Sequence, residues 1–407
     1  MESNGDNKIE IADIFRKYGS AFREKYSLPL HYIKVMNLIS VCRTSALGGH
    51  IEKCDECGYQ RNAYNSCRNR HCPKCQYAAK DRWLSDRKSE LLPVGYYHIV
   101  FTIPDKLNRL VLLNKRLMYG ILFKSASETL LSLGRDVKHI GCAIGIIAVL
   151  HTWGQNLMEH PHLHCIVTGG GLDRRGEKWI KAKKAKHKEF FIHVNVISKL
   201  FKNKFLYYLK KAYKNDELVF AGSIIELGNR KAFWELLNDL YSKKWITYCK
   251  RPFGGPESVL EYLGRYTHRV AISNSRIKGL KDGKVTFEWK DYRDNNKKKQ
   301  MEVTAVEFIR RFMLHILPEN FYKIRYYGIL SNRNKRRDIA KSSEILRRND
   351  SAEAEKDEVS TTDAENEEYI EQRLPKWRKC PNCKVGIIYY GYYGNRHFLS
   401  SIKIRAA

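Results

Sequence analysis

Two apolar, β-rich segments that lie close together in the chain constrain its fold more than any other feature. They are GCAIGIIAVLHTW (141–153) and HLHCIVTGG (162–170). The residues MEHP (158–161) between them fit a tight connection, so we predict two neighbouring antiparallel strands. Alternate side chains of a strand share one face, which places His162 and His164 side by side. The pattern therefore predicts an antiparallel sheet with imidazoles on one face.

The rest of the chain alternates between helical and extended patterns, which predicts an α+β fold. Apolar residues at spacings of three and four predict helices at 8–46, 105–135, 196–213 and 256–270. Other β-rich runs predict strands at 96–103 and 245–253, and a hairpin followed by a helix at 284–316. We therefore expect a central antiparallel sheet flanked by helices.

The charge of the chain indicates the kind of partner it binds. Its formal net charge is +30, from 74 Lys and Arg against 44 Asp and Glu. Residues 350–371 hold ten acidic residues and one lysine, so the remainder is more basic still. A field of this size points to a polyanion such as nucleic acid, whose binding weakens with salt because counterions are released. Solubility, or a patch that meets a membrane surface, is the alternative reading.

The sequence argues against a secreted or membrane-spanning protein. It shows no secretory signal, and its longest apolar run, at 141–150, has ten residues and is too short to span a bilayer. We therefore expect a cytoplasmic protein. In a reducing compartment its eleven cysteines indicate metal ligands or buried thiols rather than disulfides.

Four cysteines predict a structural zinc site. They form two Cys-x2-Cys pairs, Cys54 with Cys57 and Cys72 with Cys75, which are separated by fourteen residues. Four thiolates in two such turns can surround one tetrahedral Zn²⁺, which replaces the core that this short polar region cannot supply. We therefore predict one zinc ion held by these four ligands.

Further donors lie inside this module and near the C-terminus. Cys67 and His71 could replace one of the four ligands or, together with His50, support a second ion. The C-terminal CPNC motif (380–383) is half of a zinc knuckle, and it needs His397 or another part of the chain to complete a site. Two cysteines without a metal are the alternative reading of this motif.

The histidine strand predicts a second, catalytic metal site. Two neutral imidazoles plus one oxygen or nitrogen ligand leave open positions on a divalent ion, as catalysis requires. Gln155 lies seven residues before His162 on the preceding strand, and a short hairpin would bring its amide oxygen beside the histidines. Glu159 and His160 compete for this role, but we expect them in the turn. A chance His-x-His pair on a sheet surface is the alternative.

A tyrosine pair in EYLGRYTHR (261–269) supplies candidate nucleophiles. Tyr262 and Tyr266 are four residues apart on a predicted helix, so their hydroxyls share one face, and Arg265 and Arg269 add positive charge. Packing into a core is the other reading. Because an ordinary tyrosine has a pKa near 10, its attack on DNA needs a divalent ion that makes the phosphorus more electrophilic. Attack would leave a covalent phosphotyrosine and a free 3′-hydroxyl, so that strands can be rejoined without ATP.

These motifs occur in a combination that is typical of one known family. HPHLHCIVTGGG, the downstream YLGRYTHR and the upstream Cys-x2-Cys…SCRNRHCPKC module resemble the rolling-circle transposases of the insertion-sequence 91 family, over about residues 25–335. The resemblance implies an HUH (His-hydrophobic-His) endonuclease core, with the histidines at the centre of a ferredoxin-like or RRM-like sheet, and an N-terminal zinc-binding domain. It also implies that single strands are cut and joined at the ends of the element and at a short target sequence.

The resemblance assigns roles to individual residues. By it, His162, His164 and Gln155 bind a catalytic Mg²⁺ or Mn²⁺, and Tyr262 and Tyr266 are the nucleophiles. Structural Zn²⁺ belongs to the N-terminal domain. The candidate DNA-binding residues are Arg265, Arg269, Lys183 and Lys184, and we expect the zinc domain and the basic patches at 174–188, 297–299 and 333–337 to grip DNA. The expected partner is single-stranded DNA in a bacterial or archaeal cytoplasm, with no membrane involved and homo-oligomerisation left open.

Composition and resemblance together divide the chain into four parts. We expect a helical, zinc-binding and DNA-contacting domain at 1–90 and a tyrosine transposase catalytic domain at 91–339. A disordered acidic linker is expected at 340–373, followed by a small Cys-x2-Cys module at 374–407.

Three other functions fit parts of the sequence. A rolling-circle replication initiator or relaxase would use the same chemistry on a different substrate. A zinc-dependent DNA-binding protein without catalysis would keep its function when Tyr262 or His162 is replaced. A metallo-hydrolase would need more Asp or His ligands near residues 159–170 than this strand supplies.

Overall fold

The computed structural model of the protein is built from helices and antiparallel strands, which confirms the expected α+β class. It describes residues 8–88, 90–182, 192–253, 258–259, 264, 270–291, 294–354 and 379–391. Among the helices of these residues, none is long and apolar enough to cross a membrane.

The N-terminal part combines three helices with a small sheet. Its elements are α1 (Ile11–Lys25), α2 (Leu30–Ser40), β1 (Gly49–Cys54), β2 (Gln60–Tyr64) and α3 (Pro73–Lys88). β1 and β2 form an antiparallel hairpin, and a strand from the far end of the chain, β12 (Ile388–Gly391), pairs with the other edge of β1. The C-terminal segment therefore folds back onto the N-terminal hairpin.

The two apolar segments are neighbouring strands in a six-stranded sheet. Its strands are β3 (Tyr96–Thr102), β4 (Ala143–Trp153), β5 (Glu159–Leu172), β6 (Trp179–Lys181), β7 (Thr247–Phe253) and β11 (Ile324–Gly328). The order is β11–β4–β5–β3–β7, every neighbouring pair is antiparallel, and β6 pairs with the end of β5. The strand that carries His162 and His164 therefore lies in the middle of the sheet.

Both faces of this sheet are covered, in agreement with the apolar character of its strands. Four helices contribute buried residues to the core on one face of the sheet. They are α4 (Asn108–Leu113), α5 (Lys115–Arg135), α6 (Val194–Lys214) and α7 (Arg230–Ser242). Leu150 and Leu163 pack on the face covered by α5 and α6. Val149 and Ile166 point to the opposite face, where they pack with Leu346 from a helix later in the chain. The histidines share this second face, because positions two residues apart point to the same side.

A second core joins the N-terminal helices to a later part of the chain. A three-stranded sheet of β8 (Ile277–Lys281), β9 (Lys284–Asp291) and β10 (Lys297–Thr304) is followed by α8 (Ala305–Leu314), which confirms the expected hairpin and helix. Phe15 of α1 meets Phe312 of α8 edge to face, with ring centroids 5.3 Å apart. The segment before residue 90 and the segment after residue 270 thus bury apolar surface against each other.

The structure corrects the expected start of the acidic linker. A helix, α9 (Lys335–Ala354), covers residues 340–354, where we expected disorder. Ser342 and Leu346 on this helix are buried, and Ile339 packs beside them. A narrow buried stripe at spacings of three and four is enough to fix a helix whose other positions are charged. Residues 355–373 of the expected linker lie outside the described residues.

The turn between β4 and β5 also differs from expectation. The backbone N–H of Gly154 donates to the carbonyl of Met158 at 2.8 Å and closes the turn there. Glu159 and His160, which we expected in the turn, are the first residues of β5. The turn is therefore earlier than MEHP, and the register of the two strands shifts with it.

Candidate catalytic and zinc centres

Three histidines converge on one face of the central sheet. His151 of β4 lies directly opposite His162 of β5, and His164 follows on the same face. One candidate ligand nitrogen from each ring lies within 4.8 Å of the other two. His151 and His164 are 3% and 8% exposed, whereas His162 is half-buried, so the cluster opens to the surface at His162.

Sequence reasoning found two of these histidines and missed His151. It placed the turn too late and so put Gln155 on the strand opposite His162, whereas β4 ends at Trp153 and Gln155 lies in the turn. The backbone carbonyl of Gln155 accepts a hydrogen bond from Arg276 Nη2 at 2.5 Å. The placement on the strand is wrong, while a ligand role for the Gln155 side chain stays a prediction. The turn-forming Gly and Asn of GQN (154–156) were the available signal for the earlier turn.

Hydrogen bonds limit which nitrogen of each β5 histidine can bind a metal. His162 Nδ1 donates to the carbonyl of His160 at 2.5 Å, and since a carbonyl only accepts, the lone pair of neutral His162 is on Nε2. His164 Nδ1 lies 2.9 Å from Nε2 of His98 on β3. Burial, and then the charge of Lys250, lowers the pKa of His98 to about 3, so His98 is neutral and can accept this bond. With His98 as the acceptor, His164 also presents Nε2 as its ligand atom.

The three-histidine set suits a divalent transition-metal ion. Three neutral imidazoles on two adjacent strands form a tripod that leaves positions for water or a substrate oxygen. Magnesium prefers oxygen ligands, whereas imidazole nitrogen suits transition metals. Of the two expected ions, this donor set therefore fits Mn²⁺ better than Mg²⁺.

The predicted nucleophiles lie outside the described residues, together with their neighbouring cations. These residues are Tyr262, Tyr266, Arg265 and Arg269. Val259, three residues before Tyr262, is fully buried in one cluster with Val149 and Ile166, on the sheet face that carries the histidines. Gly264, the described residue between the two tyrosines, lies against α3, since a Cβ placed there would be 2.7 Å from Lys80 Cε.

The expected basic patches are described only in part. Lys183 and Lys184 lie outside the described residues. In the patch at 297–299, every lysine is paired with an acidic neighbour; Lys299, for example, is 2.9 Å from both Asp291 and Asp294. Pairing of this kind favours a solvated, charge-balanced surface over a phosphate site at 297–299.

The cysteines form two clusters, which corrects the expected single site. One cluster contains Cys42, Cys67, Cys72 and Cys75, and the other contains Cys54, Cys57, Cys380 and Cys383. The four ligands predicted for one ion, Cys54, Cys57, Cys72 and Cys75, are therefore divided between two places. Strand β2 lies between the two Cys-x2-Cys pairs, and each pair finds its partners elsewhere in the chain.

The first cluster has the geometry of a closed tetrathiolate site. Cys42 Sγ lies 3.6 Å from the sulfurs of Cys72 and Cys75, and Cys67 Sγ lies 3.6 Å from that of Cys75. Sulfurs at about 2.3 Å from a central Zn²⁺ stand about 3.8 Å apart in a tetrahedron. Cys67, which we expected as an extra donor, is therefore one of the four ligands of this cluster. The other expected donor, His71, is outside this cluster, and its Nε2 accepts a hydrogen bond from the backbone N–H of Leu317 at 3.4 Å.

Two sequence families match this chain. Residues 145–338 match a family described as "Putative transposase", and residues 14–103 match one described as "Transposase zinc-binding domain". The first match spans the histidine strands and the tyrosine segment, and the second spans the first cysteine cluster.

Two curated relatives carry related descriptions. The putative transposase y4qJ of Sinorhizobium fredii (strain NBRC 101917 / NGR234) is 47% identical over 378 residues, which covers 93% of each chain. The transposase for insertion sequence element IS801 of Pseudomonas savastanoi pv. phaseolicola is 28% identical over 304 residues, which covers 74% of this chain and 70% of the relative. No solved structure matches.

Proposed function

This chain belongs to the insertion-sequence 91 family of transposases, and we propose that it cuts and rejoins single-stranded DNA through a 5′-phosphotyrosine intermediate in rolling-circle transposition. The observation that carries the proposal is the cluster of His151, His162 and His164 at the centre of the sheet. Hydrogen bonds orient His162 and His164, and Val259, three residues before Tyr262, is buried on the same face of the sheet. We assign this arrangement to an HUH endonuclease core.

The proposed reaction is a transesterification. The Oη of Tyr262 or Tyr266 attacks the phosphorus of a phosphodiester, and the bond from phosphorus to the 3′-oxygen breaks. The tyrosine loses its proton and the leaving oxygen gains one, so a 5′-phosphotyrosine and a 3′-hydroxyl form. A divalent ion held by the three histidines would neutralise charge on the non-bridging oxygens. Attack by the 3′-hydroxyl of another strand reverses the step and restores the tyrosine.

Two tyrosines would let the protein hold one DNA end while it makes the next cut. Tyr262 and Tyr266 are four residues apart, a spacing that puts both on one face of a helix. One can keep the covalent end while the other attacks the target strand. The pair therefore fits a reaction with two successive cuts better than a single nick.

A groove on the N-terminal part offers a surface for the DNA strand. It has a volume of about 1040 Å³, and its lining includes Arg43, Arg68, Tyr64 and Trp83, together with Arg61, which is paired with Glu52. Arginines that follow a phosphate backbone, beside aromatic rings on which bases can stack, are the usual elements of single-strand recognition. We assign the grip on DNA to this groove rather than to the charge-balanced lysines at 297–299.

The test is formation of a covalent adduct. Labelled single strands from the ends of the element are incubated with the protein and either Mn²⁺ or EDTA, and adducts are separated under denaturing conditions. We expect a Mn²⁺-dependent adduct that is lost in the Tyr262→Phe/Tyr266→Phe double variant and reduced in at least one single variant. Tight DNA binding without an adduct, for every end and ion, would favour a DNA-binding protein without catalysis.

A matched pair of variants separates the ligand candidates. His151→Ala removes a nitrogen of the cluster, whereas Gln155→Ala changes a residue of the neighbouring turn. We expect His151→Ala to abolish the adduct at Mn²⁺ concentrations that saturate the wild type, and Gln155→Ala to retain it. Loss of the adduct in Gln155→Ala but not in His151→Ala would mean that Gln155, and not His151, is the third ligand.

A further inference from the structure

The second cysteine cluster joins residues from the two ends of the chain. Cys54 ends β1 and Cys57 lies in the following turn, whereas Cys380 and Cys383 lie just before β12. Only the first two fall inside the segment, 14–103, that matches the zinc-binding domain. No single stretch of sequence therefore contains this set of four donors.

The distances between the sulfurs fit a metal and not a disulfide. Cys54 Sγ lies 3.7 Å from Cys383 Sγ, and Cys57 Sγ lies 3.6 Å from Cys380 Sγ. A disulfide requires about 2.0 Å. Thiolates around a tetrahedral Zn²⁺ stand about 3.8 Å apart, because each sulfur is about 2.3 Å from the ion. The four side chains are thus spaced as the corners of one coordination sphere.

Both Cys-x2-Cys turns have the backbone form of a zinc knuckle. The residue after each second cysteine, Gly58 or Lys384, has a left-handed conformation with φ of 65° and 62°. In the C-terminal turn the backbone N–H of Gly386 donates to Cys383 Sγ at 3.3 Å. A donor aimed at sulfur stabilises the thiolate form, which is the form that binds zinc.

The C-terminal segment fits the N-terminal hairpin along its whole described length. β12 pairs antiparallel with β1, with Ile388 opposite Cys54, and the N–H of Ile387 donates to Asp55 Oδ1 at 2.6 Å. A Cβ on Gly386 would stand 2.4 Å from Cys54 Sγ, so only glycine allows this approach. The backbone pairing brings the two half-sites together.

We propose that Cys54, Cys57, Cys380 and Cys383 bind one Zn²⁺, separate from the ion of the first cysteine cluster, and that this ion fastens residues 379–391 to the N-terminal hairpin. Since α9 ends at Ala354, the acidic connection at 355–378 is then tethered at both ends. Four residues of strand pairing alone are a weak attachment, and the metal supplies the rest.

Zinc stoichiometry of the purified full-length chain tests the shared ion. Both Cys54→Ser/Cys57→Ser and Cys380→Ser/Cys383→Ser should contain one zinc equivalent less than the wild type, and the variant with all four changes should still lack only one. Substitution of the buried Cys142, which is in neither cluster, should leave the zinc content unchanged. A C-terminal double variant with the full zinc content, or a fourfold variant that lacks two equivalents, would overturn the proposal.

A cleavage experiment tests the fastening in a chain with all its cysteines. A specific protease site is inserted after Ser360, the chain is cut, and the products are separated by gel filtration. The C-terminal fragment should co-elute with the remainder while zinc is present and separate after chelation. It should separate without chelator when Cys380 and Cys383 are serine. A fragment that leaves the zinc-loaded protein, or stays bound to the serine variant, would contradict the fastening.

Discussion

Replacement of His98 by phenylalanine should weaken metal binding without removing a metal ligand. His98 is 2% exposed, its ring stacks on His164 with centroids 5.2 Å apart, and its Nε2 lies 2.9 Å from His164 Nδ1, where it can accept the proton that a metal-binding Nε2 leaves on Nδ1. Phenylalanine keeps the stacked ring and removes the acceptor. The buried N–H of His164 would then lose its partner, at a cost of about 1–3 kcal/mol, unless the ring turns away from its binding orientation. Groups that orient a ligand in this way contribute about 10–100-fold to metal affinity, or about 1.4–2.7 kcal/mol.

The assay is direct Mn²⁺ binding, by titration calorimetry or by the spectrum of free Mn²⁺, together with the Mn²⁺ dependence of adduct formation. We expect His98→Phe to need about 10–100-fold more Mn²⁺ for half-saturation and to approach the wild-type adduct rate when saturated. His98→Gln, whose amide oxygen can accept the same bond, should recover part of the affinity. Equal Mn²⁺ affinities of the wild type and His98→Phe would refute this account of how His164 is oriented.

Three further predictions concern stability and DNA binding. Phe15→Ala should destabilise the protein by about 3–5 kcal/mol in denaturant unfolding, because its ring is buried against Phe312 across the shared core; a loss below about 1 kcal/mol would mean that α1 is dispensable there. Hydrogen bonds from Arg310, and then from Arg311, hold the pKa of Glu307 down to about 2, so this carboxylate stabilises the fold above pH 4.5 and less as the pH falls toward 2. Glu307→Gln should therefore cost about 1–2 kcal/mol near pH 7, after allowance for solvent screening, and the difference from wild type should narrow in acid. DNA affinity should fall by about a thousandfold or more between 50 and 200 mM salt, and a salt-independent affinity would remove the phosphate-contact interpretation.

The strands of the catalytic sheet were predictable because their patterns are local. Short apolar runs rich in β-branched residues predict β3, β4 and β5 without knowledge of their partners. The third histidine was not predictable with the same ease, because His151 meets His162 only through the register of two strands. A turn placed a few residues too late put Gln155 there instead.

The cysteine pairing needed contacts that spacing does not encode. Cys-x2-Cys pairs predict zinc ligands, but they do not say which two pairs share an ion. Cys42 at the end of α2 and Cys380 near the C-terminus reach their clusters through tertiary packing and through the pairing of β12 with β1. The helix α9 was not predicted for a related reason. Its many charged residues indicate a linker, and its few buried positions can be recognised only from the elements that they pack against.

The position of β5 explains why the metal site has its particular construction. His162 and His164 need one neighbour to complete the ligand set and another to orient a ring, and only a strand inside a sheet has a neighbour on each side. His151 comes from β4 on one side, and His98 comes from β3 on the other. On an edge strand one of these contributions would be replaced by solvent. The site therefore requires the order β4–β5–β3, and a change that moves β3 by one residue should weaken metal binding at least as much as replacement of His98, even though every ligand is still present.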